Sequence, residues 1–335
     1  MERRTFLGLA GVGLSGTALL AACSKLGADK KVKGPTIGML QFVDAAPPNS
    51  VRKGFMAALA KAGYAEGESL NVIQKDAAGE LANTTLVAKQ FVGVPVDLFL
   101  AIGTPPLQAA MQVAPASIPV VFCYCSNPWG AGAGTPPGKV GQHKPNVVGT
   151  VGTNPVGEEL DLAREVDPNL SSVGLIYNPG EPNSEFEAKL LAQEAARRGI
   201  KLESQAVANS GEVLQAAQAL AAKKIGAFVK IGDYATIQAF SSICKVGLEN
   251  KIPVYSVDPP DIDLPGCLGV IGWSYYADGF AAGEMAVRIL KGESPAGMNF
   301  EPLTKTELLL NKNTAKAIGV TLPEASLKRA NKVVG

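Results

Sequence analysis

The stretch Ser172–Val207, SVGLIYNPGEPNSEFEAKLLAQEAARRGIKLESQAV, decides the fold. It opens on the apolar run VGLIY, turns through NPGEPNS, repeats apolar residues at helical spacing from Ser184 to Arg198, and ends on a second strand-like run from Lys201 to Val207. That order reads as one strand–helix–strand unit, whose two strands are parallel and whose crossover is right-handed.

The unit recurs in both directions along the chain. Further strands are expected at Thr36–Leu40, Leu70–Gln74, Asp97–Ile102, Ile118–Phe122, Ala227–Ile231, Ile252–Ser256 and Gly269–Trp273. Most are short apolar runs, as strands covered on both faces are. Amphipathic segments between them predict helices at Ser50–Ala62, Leu81–Phe91, Pro106–Ala114, Gly157–Glu165, Gly211–Ala222, Tyr234–Glu249 and Tyr275–Lys291. The alternation defines an α/β fold with doubly wound parallel sheets. About 310 residues follow the leader described below, more than one core organises, so two lobes are expected. The break between them is expected between the Pro- and Gly-rich stretch Asn127–Pro145 and the helix near Gly157.

Ligands of open parallel sheets sit beyond the carboxyl ends of the strands. The informative residues therefore follow each run: Gln41 after the first, then Gly103-Thr104-Pro105-Pro106, Ser126-Asn127-Pro128, Asn178 to Ser184, Gly232-Asp233-Tyr234 and Val257-Asp258-Pro259. The first three loops belong to one run of units and the last three to the other, so they form two walls of a cleft.

Each loop has a structural and a ligand reading. Thr104 before two prolines is a good helix cap, and the same helix end suits a carboxylate. Ser184 and Glu187 have capping-box spacing, which leaves Asn178, Glu181 and Asn183 as turn formers or ligand contacts. Asp233 and Asp258 are each placed to cap a helix or to accept from an ammonium. Trp129 either stacks on a ligand at the cleft mouth or packs down on its own lobe. Of Tyr275 and Tyr276, one is expected to face the cleft and the other the core.

Catalysis has little support. The single histidine, His143, sits in a loop of Lys, Gly and Pro and reads as solvated, and no GxSxG after a strand, HExxH, CxxC or Walker loop occurs. An exported carboxylate enzyme using Asp233 and Asp258 as acid and base is the alternative. A net charge of +1 with interspersed signs and 6% aromatic residues indicates neither a nucleic-acid footprint nor a membrane-surface helix. The partner is therefore a small molecule or a protein, with no cofactor or metal implied.

The first residues, MERRTFLGLAGVGLSGTALLAACS, have a basic start, a small apolar stretch and then Leu20-Ala21-Ala22-Cys23, the anatomy of an export signal. The apolar stretch, roughly 15 residues, is short of the ~20 that span hydrocarbon. A cysteine after Leu-Ala-Ala resembles the bacterial lipobox, which makes residues 1–22 the signal, Cys23 the lipidated residue and 23–34 a tether. Arg3-Arg4-Thr5-Phe6-Leu7 resembles a twin-arginine pattern with Glu2 before it. Gly11 to Gly16 match the dinucleotide fingerprint formally, but no strand precedes them. Cys123, Cys125, Cys244 and Cys267 read as buried free thiols, with a Cys244–Cys267 disulfide as the alternative in an exported chain.

Several blocks, in one order from Thr36 to Val334, resemble bacterial ABC transporter substrate-binding lipoproteins typified by tryptophan- and tyrosine-binding members. They are IGMLQFVD, RKGFMAALAKAGYAEGESL, AKQFVGVPVDLFLAIGTPPLQAA, IPVVF, GLIYNPGEPNSEF, IPVYSVD, GWSYYADGFAAGEMAVRILKGESP and LLLNKNTAKAIGVTLPEASLKRANKVV. The resemblance implies a type I periplasmic-binding-protein fold, two lobes joined by three crossovers, with residues 35–150 and 275–335 in the first lobe and 151–274 in the second. It implies no catalysis. It implies instead a monomer, anchored by lipid, whose lobes close on a small zwitterionic solute, such as an amino acid, and signal a permease with an ATPase; a sensory receptor without transport is a further alternative. By that resemblance Asp233 holds the amino group, Thr104, Asn183 and Ser184 hold the carboxylate, and Gly103, Pro105, Ser126, Asn127, Asn178 and Asp258 line the cleft; Gln41 and Tyr275 are added to the site by their places after strands. Departures from the family pattern fall at Cys125 to Pro128 and the long loop after it, at Tyr234 and at Ser274.

Overall fold

The computed structural model describes residues 32–335, so the export signal and Cys23 lie outside the described residues. The first lobe is built from β1 (Thr36–Gln41), α1 (Ala46–Lys61), β2 (Asn71–Asp76), α2 (Leu81–Val92), β3 (Leu98–Ile102), α3 (Thr104–Val113), β4 (Val120–Cys125) and β5 (Val147–Val151). The chain then crosses into α4 (Val156–Val166), β6 (Ser172–Tyr177), α5 (Pro182–Arg197), β7 (Lys201–Ala206), α6 (Val213–Ala222), β8 (Ala227–Val229), α7 (Tyr234–Asn250), β9 (Val254–Ser256) and β10 (Cys267–Trp273). It returns through α8 (Tyr275–Leu290) and β11 (Glu301–Pro302), and crosses a third time into β12 (Thr306–Asn311), α9 (Lys312–Ile318), α10 (Glu324–Arg329) and β13 (Lys332–Val334).

The first sheet has 6 strands in the order β11-β5-β4-β3-β1-β2, and the second has 7 in the order β13-β12-β10-β9-β8-β6-β7. Every pairing is parallel except β10 with β12. Strand β3 is buried at every residue, as a strand sandwiched between helix layers must be. Each lobe has its own core: Phe55, Phe91, Phe99 and Phe122 anchor the first, and Leu160, Leu175, Leu191 and Tyr255 the second.

Helix α8 docks on α1 with the two backbones nearly touching. A Cβ on Gly279 would lie 1.8 Å from the Val51 carbonyl oxygen, and one on Gly54 would lie 1.9 Å from that of Tyr276. Only glycine permits this contact, which fixes α8 in the first lobe although its sequence follows a strand of the second.

The tail departs from the expected domain division. Residues 275–302 do belong to the first lobe, but β12, α9, α10 and β13 join the second sheet. The reason lies in the run Leu308-Leu309-Leu310: β12 pairs antiparallel with β10, Val270 opposite Leu309, and the alternating side chains enter the two cores on either side of the second sheet. Strand β5, which seats the first crossover, was also missed, because VVGTV is short and follows a long irregular loop.

Candidate functional site

The two lobes face each other across a chamber lined by Tyr124, Ser126, Gly152, Asn154, Asn183, Glu187, Gly232, Tyr234, Trp273, Tyr275, Asp278 and Leu303. About 380 Å³ of atom-free space, part of it open to solvent, lies within this lining. Strand ends build it. Ser126 follows β4, Gly232 and Tyr234 follow β8, Trp273 ends β10, and Asn183 and Glu187 stand in the first turns of α5, after β6.

The Tyr124 ring comes from a distortion in β4. The register of β4 against β5 shifts between Phe122 and Cys125, and Tyr124 adopts φ 53, a left-handed conformation costly for a bulky residue. The Tyr124 amide donates to Asp278 Oδ2 at 2.9 Å, and the Thr150 hydroxyl donates to Asp278 Oδ1. Burial lifts the Asp278 carboxyl to about 6, against these two donors. The Tyr124 ring meets Tyr275 edge-on at 4.9 Å and Tyr234 at 6.3 Å, so three phenols share one side of the chamber.

Three polar groups of the wall point to a ligand. Glu187 is fully buried, accepting from Asn154 Nδ2 at 3.0 and 3.1 Å and from the Gly232 amide at 2.7 Å. Burial raises its pKa, with those donors pulling the other way. Asn183 donates to the Gly232 carbonyl at 2.6 Å, which orients its amide and leaves Oδ1 buried without a partner. Ser126 Oγ is likewise buried and makes no hydrogen bond of ordinary geometry, although it stands close enough to Glu187 to help hold that carboxyl's pKa down. A buried polar atom without a partner costs about 1–3 kcal/mol, so two in one chamber mark a site rather than a core.

Of the residues expected from sequence, Ser126, Asn183 and Tyr275 line this chamber, whereas Gln41, Gly103, Thr104, Pro105, Asn127, Asn178, Ser184, Asp233 and Asp258 are absent from its lining. Most have structural tasks. Asp233 is fully buried with both oxygens engaged: Oδ1 accepts from the Thr236 amide, capping α7, and Oδ2 accepts from the Asn178 amide at 2.6 Å and the Ser184 hydroxyl at 2.7 Å. The capping box therefore does not form; α5 starts at Pro182, and Ser184 and Glu187 turn inward to Asp233 and Gly232. Thr104 is the first residue of α3 rather than its cap, and its hydroxyl meets Cys125 Sγ at 3.3 Å. Asn127 closes its own turn by accepting from the Gly130 amide. Gln41 donates to Asn49 and keeps a buried unpartnered Oε1.

Asp258 sits in a buried ionic knot. Lys230 donates to both Asp258 and Asp261, lies 4.5 Å above the Phe240 ring, and its backbone amide is held by Glu159. Burial works to lower the Lys230 pKa, but the two carboxylates outweigh it and hold the ammonium charged. Tyr275 donates its hydroxyl to Asp258 from the other lobe.

The remaining sequence expectations divide. Trp129 packs down on its lobe, stacked 5.5 Å from Phe300. His143 is half-buried rather than solvated, stacking on Phe300 with Nε2 2.7 Å from the Met298 carbonyl oxygen. Tyr276 is 48% exposed and enters no core. The four described cysteines are buried and free, including Cys244 and Cys267.

Seven side chains of the chamber were not singled out as ligand contacts: Tyr124, Asn154, Glu187, Tyr234, Trp273, Asp278 and Leu303. The signal for Asp278 was available, since a carboxylate inside the apolar helix YYADGFAAG needs a reason. Asn154 and Leu303 follow β5 and β11, strands that periodicity did not reveal.

A family model described as ABC transporter substrate binding protein matches residues 36–334. A tyrosine-binding protein of Clostridioides difficile is 29% identical over 327 residues, 95% of this chain and 93% of that protein. A Streptococcus pneumoniae ABC domain solved in complex with L-Trp is 26% identical with TM-score 0.84, covering 90% of this chain and 100% of that one. Against a ligand-free, open substrate-binding protein from Clostridium difficile the TM-score is 0.67 at 30% identity, covering 90% and 99%. The lobes of this chain thus stand closer to the arrangement of the ligand complex than to the open one.

Proposed function

Since the chain belongs to the ABC transporter substrate-binding protein family, we propose that its chamber closes on a compact zwitterionic amino acid and presents it to a permease with an ATPase partner. The carrying observation is the convergence of Glu187, the unpartnered Asn183 Oδ1 and the unpartnered Ser126 Oγ on one interlobe space. Glu187 and Asn183 Oδ1 are acceptors suited to an ammonium, and an ammonium beside Glu187 would offset the burial that raises its pKa. Ser126 Oγ donates to the carboxylate, and Tyr124, Tyr275 and Trp273 cover the side chain.

The same residues argue for a binder rather than an enzyme. Asp233 and Asp258, the only acid/base pair suggested by sequence, are each committed to several donors and stand apart from the chamber lining. In this reading Cys23 carries a lipid anchor and the protein works as a monomer outside the cytoplasm. Among the described residues no helix is long and apolar enough to cross a membrane.

Thermal-shift and calorimetric titration against the amino acids, nucleosides and organic acids tests the reading. A true ligand at ~100 times its Kd adds about 2.7 kcal/mol and raises Tm by several degrees. No response to any amino acid, or chemical turnover of the bound one, overturns it.

A further inference from the structure

Tyr234 is the first residue of α7 in the second lobe, yet its side chain is packed into the first. The ring is 96% buried, lies 4.6 Å from Phe42 at an interplanar angle of 56°, and joins a cluster whose other buried members, Phe42, Val43 and Ala77, all belong to the first lobe. Its hydroxyl lies over the start of α3: a Cβ on Gly103 would be 2.0 Å from Tyr234 Oη, and Gly103 holds φ 108. Glycine is thus required there twice, for its conformation and for the room. Tyr234 has little freedom to leave, because its amide donates to Glu181 at 2.9 Å and the preceding Asp233 is tied to Thr236, Asn178 and Ser184.

The phenol therefore lies at the helix end that sequence reading assigns to a ligand carboxylate, and it also lines the chamber. We propose that Tyr234 is a specificity-determining residue: its ring fills the side of the chamber beside Gly103 from within, so the chamber accepts compact amino acids of the alanine, serine and valine class and turns away tryptophan and tyrosine. The inference rests on the amino-acid reading above. A ligand ring forced into filled space requires the wall to shift, and such overpacking weakens binding roughly ten- to hundredfold.

The test compares wild type, Tyr234→Ser and Tyr234→Phe by calorimetry with L-Ala, L-Ser, L-Val, L-Trp and L-Tyr. The ratio of affinities is the readout, since a general weakening of closure cancels from it. Wild type and Tyr234→Phe are expected to favour a compact amino acid over tryptophan by about tenfold or more, and Tyr234→Ser to cut that preference at least about tenfold. A wild type that binds tryptophan as tightly as any compact amino acid overturns this proposal alone. So does a folded Tyr234→Ser with an unchanged ratio. If none of the three proteins binds any amino acid, the amino-acid reading itself fails and this inference with it.

Discussion

Tyr275 donates its hydroxyl to Asp258, joining the first turn of α8 in one lobe to the end of β9 in the other. The bond spans the second crossover, where the chain passes from β10 into α8, and the Trp273 indole secures the same region by donating to the Thr153 carbonyl at 3.0 Å. A hydrogen bond to a charged acceptor contributes about 1.5–3 kcal/mol. Tyr275→Phe is expected to lower unfolding stability by about that amount. In a double-mutant cycle with Asp258→Asn the two losses should overlap; strict additivity would show that the bond carries no weight.

Lys230 is buried against Asp258 and Asp261. Lys230→Met leaves two carboxylates without their cation, and breaking such a pair costs about 3–5 kcal/mol. Urea unfolding should register that loss, and adding Asp258→Asn and Asp261→Asn should recover most of it. A single variant as stable as wild type would mean that the knot is already neutral.

Asp278 predicts a pH dependence. Its carboxyl rises from 3.8 to about 6 on folding because it is buried, so the folded state holds the proton more tightly. The associated stability is full below pH ~4 and is lost as pH rises through ~6, an amount of about 3 kcal/mol. Glu181, raised to about 8 by burial and by the Asp233 charge, extends the decline through neutral pH to about 8. Asp278→Asn keeps a partner for both the Tyr124 amide and the Thr150 hydroxyl. Its Tm relative to wild type should rise between pH 4 and pH 7; a constant difference would refute the assignment.

Glu187 separates binding from folding. Glu187→Gln retains an acceptor for the Gly232 amide and removes the negative charge offered to an ammonium. The neutral amide should cost ligand affinity at least about tenfold, as losing a charge-assisted hydrogen bond does, while Tm without ligand stays equal or rises. Calorimetry at pH 7 checks this, and unchanged affinity would remove Glu187 from the ammonium site.

How much of this was legible follows from the range of each interaction. The strand–helix–strand period was readable in Ser172–Val207 because burial of alternate elements writes itself locally into apolar spacing. Strands β3 and β8, buried throughout, and β6, buried except at its ends, were legible for the same reason. β5 and β11 were not, since short runs beside irregular loops carry too little period, and β12 was not, since its pairing with β10 is a contact between distant segments; with them went Asn154, Leu303 and the lobe assignment of the tail. Of the loops singled out by their place after strands, those after β4, β6 and β8 contribute to the chamber lining, whereas Gly103-Thr104-Pro105 and Val257-Asp258 do not. Of the two readings open for Asp233, cap or ammonium acceptor, the structure shows the cap; Glu187 read as part of a capping box and lines the chamber instead.

By itself, then, the sequence determined the α/β class, the two-lobed build and the strand ends that face one another, because these depend on patterns a few residues long. Tertiary structure decided which side chains remain unsatisfied there. Whether Asn183 Oδ1 lacks a partner, whether Tyr124 leaves its strand at φ 53, and whether Tyr234 reaches Gly103 depend on atoms brought together from distant segments. Hydrogen-bond saturation and steric fit are properties of that assembled neighbourhood, and no spacing along the chain encodes them.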